Sequence, residues 1–217
     1  YREINEQRFS IGNFYLRRIR RIIPLVSFIS VVVLAIGIVV MLPDDLENLA
    51  QSVIATNFFG NNVLQAITTR NYWDVVNEYK PLVHTWSLGI EEQYYLLYPF
   101  LFMALGKKRI AWAPYVLSIL AVISLSLFFG PITEYERFYY LKYRFFELAI
   151  GGVFAIALNG RIAHYLLGPI SILSLLLLLI LPPSAITSEV RLVLVIFVTA
   201  SVLATANNEF TISYWIL

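Results

Sequence analysis

The chain has 217 residues, 59% hydrophobic and 14% charged, with a formal net charge of +2 and a mean hydropathy of +0.72. Soluble domains carry about 45–50% apolar and roughly 25% charged residues, so this balance excludes an ordinary soluble domain and points to an integral membrane protein. With no cysteine and two histidines, disulfides, thiolate chemistry and a zinc centre drop out, and a short basic run beside an apolar stretch makes no case for nucleic acid.

A membrane span needs about 20 mostly apolar residues. The length therefore predicts an all-α fold, a polytopic transmembrane helical bundle of about six spans plus one amphipathic or re-entrant helix, in one domain over 1–217. Tyr1 is not a Met and Leu217 lies in an apolar run, so the expectation is a segment of a longer protein with further spans at both ends.

Tyr1 to Asn13 is polar and loop-like. Arg17, Arg18, Arg20 and Arg21 then cluster ahead of Pro24, which fits the first turn of a span over Ile22 to Leu42. Arginines flanking a span favour the cytoplasmic side. Leu46 to Ile67 is interrupted by Glu47, Asn48, Gln51, Asn57, Asn61, Asn62 and Gln65, too polar for a lipid-exposed crossing. Thr68 to Pro81, with Tyr72, Trp73 and Tyr79, suits the membrane interface. His84 to Leu105 is the next span and ends in Gly106-Lys107-Lys108-Arg109. If both basic clusters are cytoplasmic, 46–67 cannot cross completely, and the His84 end faces outward.

Ala111 to Phe129 reads as a plain span and Gly130 to Tyr140 as an outer loop. Leu141 to Leu158 returns, carrying Lys142, Arg144 and Glu147, with Gly151-Gly152 placed for close helix approach. Asn159 to His164 forms an inner loop, and spans over Tyr165 to Leu181 and Arg191 to Ala206 complete the six.

Three groups of residues carry chemistry. The arginines have a topological reading and an anion-binding one: Arg18 and Arg21 are i,i+3, so two guanidinium forks can converge on phosphate oxygens. The second group lies within Lys80 to Pro99, where His84, Ser87, Glu91, Tyr95 and Tyr98 fall along one helical stripe. Ionisable groups at membrane depth usually face a bundle interior or a watery cavity, and glutamates among aromatics are candidate acids or bases. His84 and Glu91 are two turns, about 10 Å, apart, so no local Ser-His-Glu triad forms and any catalytic pair needs a partner from another helix. The third group is Arg144 and Glu147, three apart, which read as an internal ion pair.

Three segments together, FYLRRIRRIIP at 14–24, PLVHTWSLGIEEQYYL at 81–96 and RFFEL at 144–148, resemble the membrane acyltransferase-3 family, in its O-antigen and peptidoglycan O-acetyltransferase branch. The resemblance implies a multi-pass enzyme of the bacterial inner (plasma) membrane. Such an enzyme holds no permanent cofactor, takes an acetyl group from acetyl-CoA on the cytoplasmic side, and passes it to a hydroxyl of a cell-envelope glycan such as lipopolysaccharide or peptidoglycan. The family's Arg-x-x-Arg motif maps onto Arg18 and Arg21, with Arg17 and Arg20 as the other register, and these would hold the CoA phosphates. His84, Glu91 and Glu92 become the catalytic candidates, with Ser87, Trp86, Tyr95, Arg144 and Glu147 shaping or bracing the cavity. The family also implies a preceding span with an arginine and a histidine, the latter as general base, and a C-terminal Ser-Tyr-rich span that Ser213-Tyr214-Trp215 does not clearly match. The rival reading is a transporter or flippase of a glycan or lipid, since buried charges also suit proton coupling; no inverted repeat favours it.

Overall fold

The computed structural model describes residues 3, 6, 8–68, 80–157, 167–182 and 184–206, and every regular element among them is helical. The interface aromatics Tyr72, Trp73 and Tyr79, the loop with His164, and Ser213-Tyr214-Trp215 lie outside the described residues. The chain forms two compact units, one of Tyr1–Ile110 with Gly130–Arg144 and one of Ala111–Phe129 with Phe145–Leu217.

The first unit begins with α1 (Ile11–Val40), whose start is fixed by the Ser10 hydroxyl accepting the Asn13 N–H at 3.4 Å. The arginines are good helix formers, so the helix runs through them, and Pro24 is internal rather than in a first turn. At about 1.5 Å per residue α1 is far longer than the apolar stretch alone. Its upper half bears exposed apolar side chains such as Leu25, Phe28, Val31 and Val39.

Leu46 to Ile67 is not one helix. It splits into α2 (Pro43–Asn57) and α3 (Asn61–Thr68), parted by a turn in which Phe59 has φ +56. At about 1.5 Å per residue, α2 falls short of a hydrocarbon core of about 30 Å, which agrees with a segment that does not cross. It packs antiparallel to α1: Leu49 meets Gly37, while Asn57 at the other end bonds Ser27 (3.0 Å) and Ser30 (3.2 Å).

A short 3₁₀ turn (Val83–Thr85) leads into α4 (Trp86–Arg109), which is interrupted at Gly106, φ +61, where a glycine is favoured. α4 is antiparallel to α1 as well, since the Tyr15 hydroxyl donates to the Leu96 carbonyl (2.9 Å) and Arg18 reaches back to Glu92. The arginine end of α1 and the Lys107–Arg109 end of α4 thus share one end of the unit, the arrangement the positive-inside rule requires of both. The expected outer loop holds a further helix, α6 (Glu134–Tyr139), with Tyr139 fully buried.

The second unit comprises α5 (Ala113–Phe128), most of α7 (Leu141–Ala157), α8 (Leu167–Ile180) and α9 (Ser188–Ala206). The Phe146 N–H donates to the Ser124 hydroxyl at 3.1 Å, and the Phe128 and Phe146 rings lie 5.3 Å apart. Arg191 donates to the Leu181 and Pro182 carbonyls at 2.9 and 2.7 Å, satisfying groups that the end of α8 leaves open. An added methyl at Gly151 would meet no atom within 4 Å, so Gly151 itself makes no close approach to the described residues.

Among the described residues, each of the six stretches expected to span holds a helix. Two, Ile11–Val40 and Ile110–Phe128, are long and apolar enough to cross a membrane, and Pro169–Ile180 is apolar but shorter.

Candidate functional site

Within the first unit a cavity of about 330 Å³ opens between three elements. α1 supplies Tyr15, Arg18, Ile19 and Ile22, the turn before α3 supplies Phe58, Phe59 and Gly60, and α4 supplies Glu92, Gln93 and Leu96. The α1 residues recur at i, i+3, i+4 and i+7, so they form one helix face.

Arg18 is the charged centre of this wall. Its guanidinium is 3.4 Å from a Glu92 carboxylate oxygen, with side-chain exposures of 25% and 11%. It lies over the Tyr95 ring, 3.0 Å from the centroid, and 5.3 Å from that of Phe14. Salt bridge and aromatic face hold the cation in one orientation.

The remaining arginines point elsewhere. Arg17, Arg20 and Arg21 are exposed, and Arg17 pairs with Glu3 at 3.0 Å. At about 100° per residue, Arg21 lies some 60° round the helix from Arg18, on the side away from Ile22. Arg18 lines the cavity and pairs with Glu92, whereas Arg21 is exposed and is not among the lining residues.

The His84 to Glu92 candidates also separate. His84 belongs to the 3₁₀ turn ahead of α4 and is exposed, and its backbone carbonyl accepts the hydroxyl of exposed Ser87 at 3.3 Å. Glu91 is half-buried and, unlike Glu92, does not line the cavity. Glu92 and His84 are eight residues apart in sequence, about 12 Å along an axis. Below Tyr95, the rings of Tyr94, Tyr98 and Phe102 continue as an aromatic ladder, with 5.3 Å between the first two and 4.4 Å between the last two.

Trp86 and Arg144 meet in a second cluster of the same unit. The Trp86 ring lies 4.3 Å from Phe138 and 5.9 Å from Tyr139, and the Arg144 guanidinium is 4.9 Å from both Trp86 and Phe138. Neither residue lines the Arg18 cavity. Glu147 follows Arg144 by one turn of α7.

Sequence reasoning missed the amide network behind the cavity. Asn62 and Gln93 exchange side-chain hydrogen bonds of 3.3 and 2.9 Å. Gln93 also donates to the Phe59 carbonyl at 3.1 Å, and Asn62 to that of Tyr139 at 3.0 Å. Asn61 donates to the Leu82 carbonyl and the Thr85 hydroxyl at 2.8 and 2.7 Å. Asn61 and Asn62 are wholly buried, so these bonds answer the cost of burying amides. Gly89 lets α4 come this close: a Cβ there would sit 2.7 Å from Asn62 Oδ1 and 3.1 Å from the Phe59 carbonyl. The signal was present in the density of amides at Asn57, Asn61, Asn62 and Gln65, but it was used only to argue against a lipid-exposed crossing.

Comparison with known proteins adds a separate line. The sequence profile of an acyltransferase domain, the acyltransferase-3 type, matches residues 4–216. An uncharacterised protein of Haemophilus influenzae is 32% identical over 169 residues, covering 72% of this chain and 67% of that protein. The peptidoglycan O-acetyltransferase OatA of Listeria monocytogenes is 32% identical over 151 residues, 67% of this chain and 24% of the relative. The putative peptidoglycan O-acetyltransferase YrhL of Bacillus subtilis is 27% identical over 159 residues, 70% of this chain and 25% of the relative. The chain thus spans about a quarter of the length of these two named relatives. No solved structure matches.

Proposed function

The chain belongs to the acyltransferase-3 family of acyltransferase domains, and from that membership we propose that it serves a multi-pass O-acyltransferase of the bacterial inner membrane, moving acetyl from acetyl-CoA to a hydroxyl of an envelope glycan. In this reading α1, α4, α5, α7, α8 and α9 cross the bilayer, and the α2–α3 pair does not. The arginine end of α1 is cytoplasmic and meets the donor; the His84 end of α4 faces the acceptor.

The observation that carries the reading is the clamped Arg18. A guanidinium fixed by Glu92 and Tyr95 in an apolar-walled cavity is a preorganised electrostatic group, placed on the two helices whose motifs mark the family. In the transfer, the acceptor hydroxyl oxygen forms a bond to the thioester carbonyl carbon and the carbon–sulfur bond breaks. The hydroxyl proton passes to a base and the sulfur leaves as the CoA thiol. Glu91 is the candidate of this chain for orienting the base, His84 belongs to the acceptor end, and Arg20 and Arg21, exposed on the arginine end of α1, are the candidates for the phosphates.

The test uses membrane vesicles carrying the full-length protein, labelled acetyl-CoA and envelope polysaccharide. The parent transfers label to the glycan, and replacing Arg18→Met together with Glu92→Leu, which leaves no orphaned charge, abolishes transfer while the protein still inserts. Unchanged labelling in that variant overturns the assignment, and glycan movement across the vesicle without acetylation supports a flippase instead.

A further inference from the structure

We propose that the Arg18 cavity is the subsite for the acyl end of the donor and not for its phosphates, and that Ile22 is a residue that limits acyl length. The inference rests on the acyl-transfer reading above and says which part of the donor goes where.

Charge is the first reason. Among the described residues the one cation lining the cavity is paired with Glu92 at 3.4 Å, and it is covered by the Tyr95 ring at 3.0 Å. A phosphate entering the cavity would sit beside the Glu92 carboxylate, which is only 11% exposed, and two anions held together where water is scarce repel strongly. Phosphates are better met outside, where Arg20 and Arg21 are exposed on the same helix.

The walls are the second reason. Ile19, Ile22, Phe58, Phe59 and Leu96 present hydrocarbon. The polar neighbours already have partners: Tyr15 donates to Leu96, and Gln93 is bonded to Asn62 and Phe59. What remains favours a neutral, compact, partly apolar group with a single acceptor atom for Arg18, which describes an acyl thioester. The volume of about 330 Å³ lies at the small end of ligand sites, enough for a short acyl thioester with the adjoining stretch of the donor's thiol arm and too small for the whole donor.

Ile22 bears on this space because it sits one turn beyond Arg18 on the cavity face of α1 and lines the cavity together with the Phe58–Gly60 turn. Each methylene buried is worth roughly fourfold in affinity, so enlarging the site by a few carbons should shift preference by about tenfold between acetyl and butyryl donors.

The experiment measures kcat/KM for acetyl-, propionyl- and butyryl-CoA with the full-length protein in vesicles, parent against Ile22→Ala and Ile22→Phe. Expected is a rise of about tenfold in the butyryl-to-acetyl ratio for Ile22→Ala and a fall for Ile22→Phe; Ile22→Val, the mildest truncation, moves the ratio upward by a smaller step should the others fold poorly. A ratio is insensitive to how much folded enzyme is present. If the parent transfers acetyl but the ratio is unmoved in all three, the cavity is not the acyl subsite, as when a lipid tail occupies it, and the broader acyl-transfer reading stands. If the parent transfers no acyl group from any thioester, the broader reading fails and takes this one with it.

Discussion

The same substitution at two glycines should have opposite effects, and the sign at each comes directly from its surroundings. At Gly89 an added Cβ would lie 2.7 Å from Asn62 Oδ1, 3.1 Å from the Phe59 carbonyl oxygen and 3.3 Å from Asn62 Cγ. None of these can retreat easily: Asn62 is wholly buried and bonded to Gln93 and to Tyr139, and the Phe59 carbonyl is held by Gln93. Overpacking of this kind costs about 1–3 kcal/mol, and displacing the amide forfeits a hydrogen bond of roughly 1 kcal/mol. Gly89→Ala should therefore lose about 2–4 kcal/mol of stability. Gly151 is exposed, helical and has nothing within 4 Å of an added Cβ, so Gly151→Ala should gain about 0.5–1 kcal/mol from backbone entropy alone. Denaturant unfolding in detergent micelles, followed by far-UV circular dichroism, measures both. A Gly89→Ala protein as stable as the parent would refute the close approach of α4 to the Phe58–Gly60 turn, and with it the account of how that wall of the cavity is held.

Arg18→Met alone should destabilise by about 2–4 kcal/mol because it strands Glu92, and adding Glu92→Leu should recover most of that loss; the same unfolding assay checks the pair. Gln93→Leu leaves the Phe59 carbonyl and the Asn62 amide unanswered and should cost about 1–3 kcal/mol, with faster proteolysis at the 58–60 turn as a second readout. Burial holds the Lys80 ammonium below the usual lysine pKa. The unfolded chain therefore keeps that proton to higher pH than the folded one, and the penalty on folding is fully present below the folded pKa and fades as pH rises through it. Lys80→Met should raise the melting temperature at neutral pH, and the gain should shrink toward the ordinary lysine pKa.

Much of the fold was legible because hydropathy and charge speak directly to the membrane. Among the described residues each of the six apolar stretches holds a helix, and the two basic clusters lie toward one end of the first unit, as expected of both. The start of α1 was misread because helix propensity was weighed only over the apolar run, whereas the Ser10 cap and the arginines carry the helix through the polar segment. The split of 46–67 was hidden because Phe59 in a left-handed conformation has no sequence signature, being sustained by tertiary bonds from Gln93. At the site, the pattern placed Arg18 and Glu92 among many candidates but could not say that they face each other across 74 positions, or that His84 and Ser87 stay outside the cavity. Helical periodicity assigns faces within an element, and only packing says which faces meet.

The partners of the α2–α3 amides have a bearing on how the protein is made. Asn61 and Asn62 are satisfied by Leu82, Thr85, Gln93 and Tyr139, all of which leave the ribosome later, Tyr139 by 77 residues. At about 5–20 residues per second that is a delay on the order of 4–15 s, during which bare amides would be costly in hydrocarbon. On the proposed topology, the α2–α3 segment would wait at the bilayer surface after α1 is threaded, and sink into place only when α4 and α6 arrive. Its entry is a late docking event rather than an insertion step, and a nascent chain halted before Tyr139 should leave this segment open to water-soluble labels on the outer face.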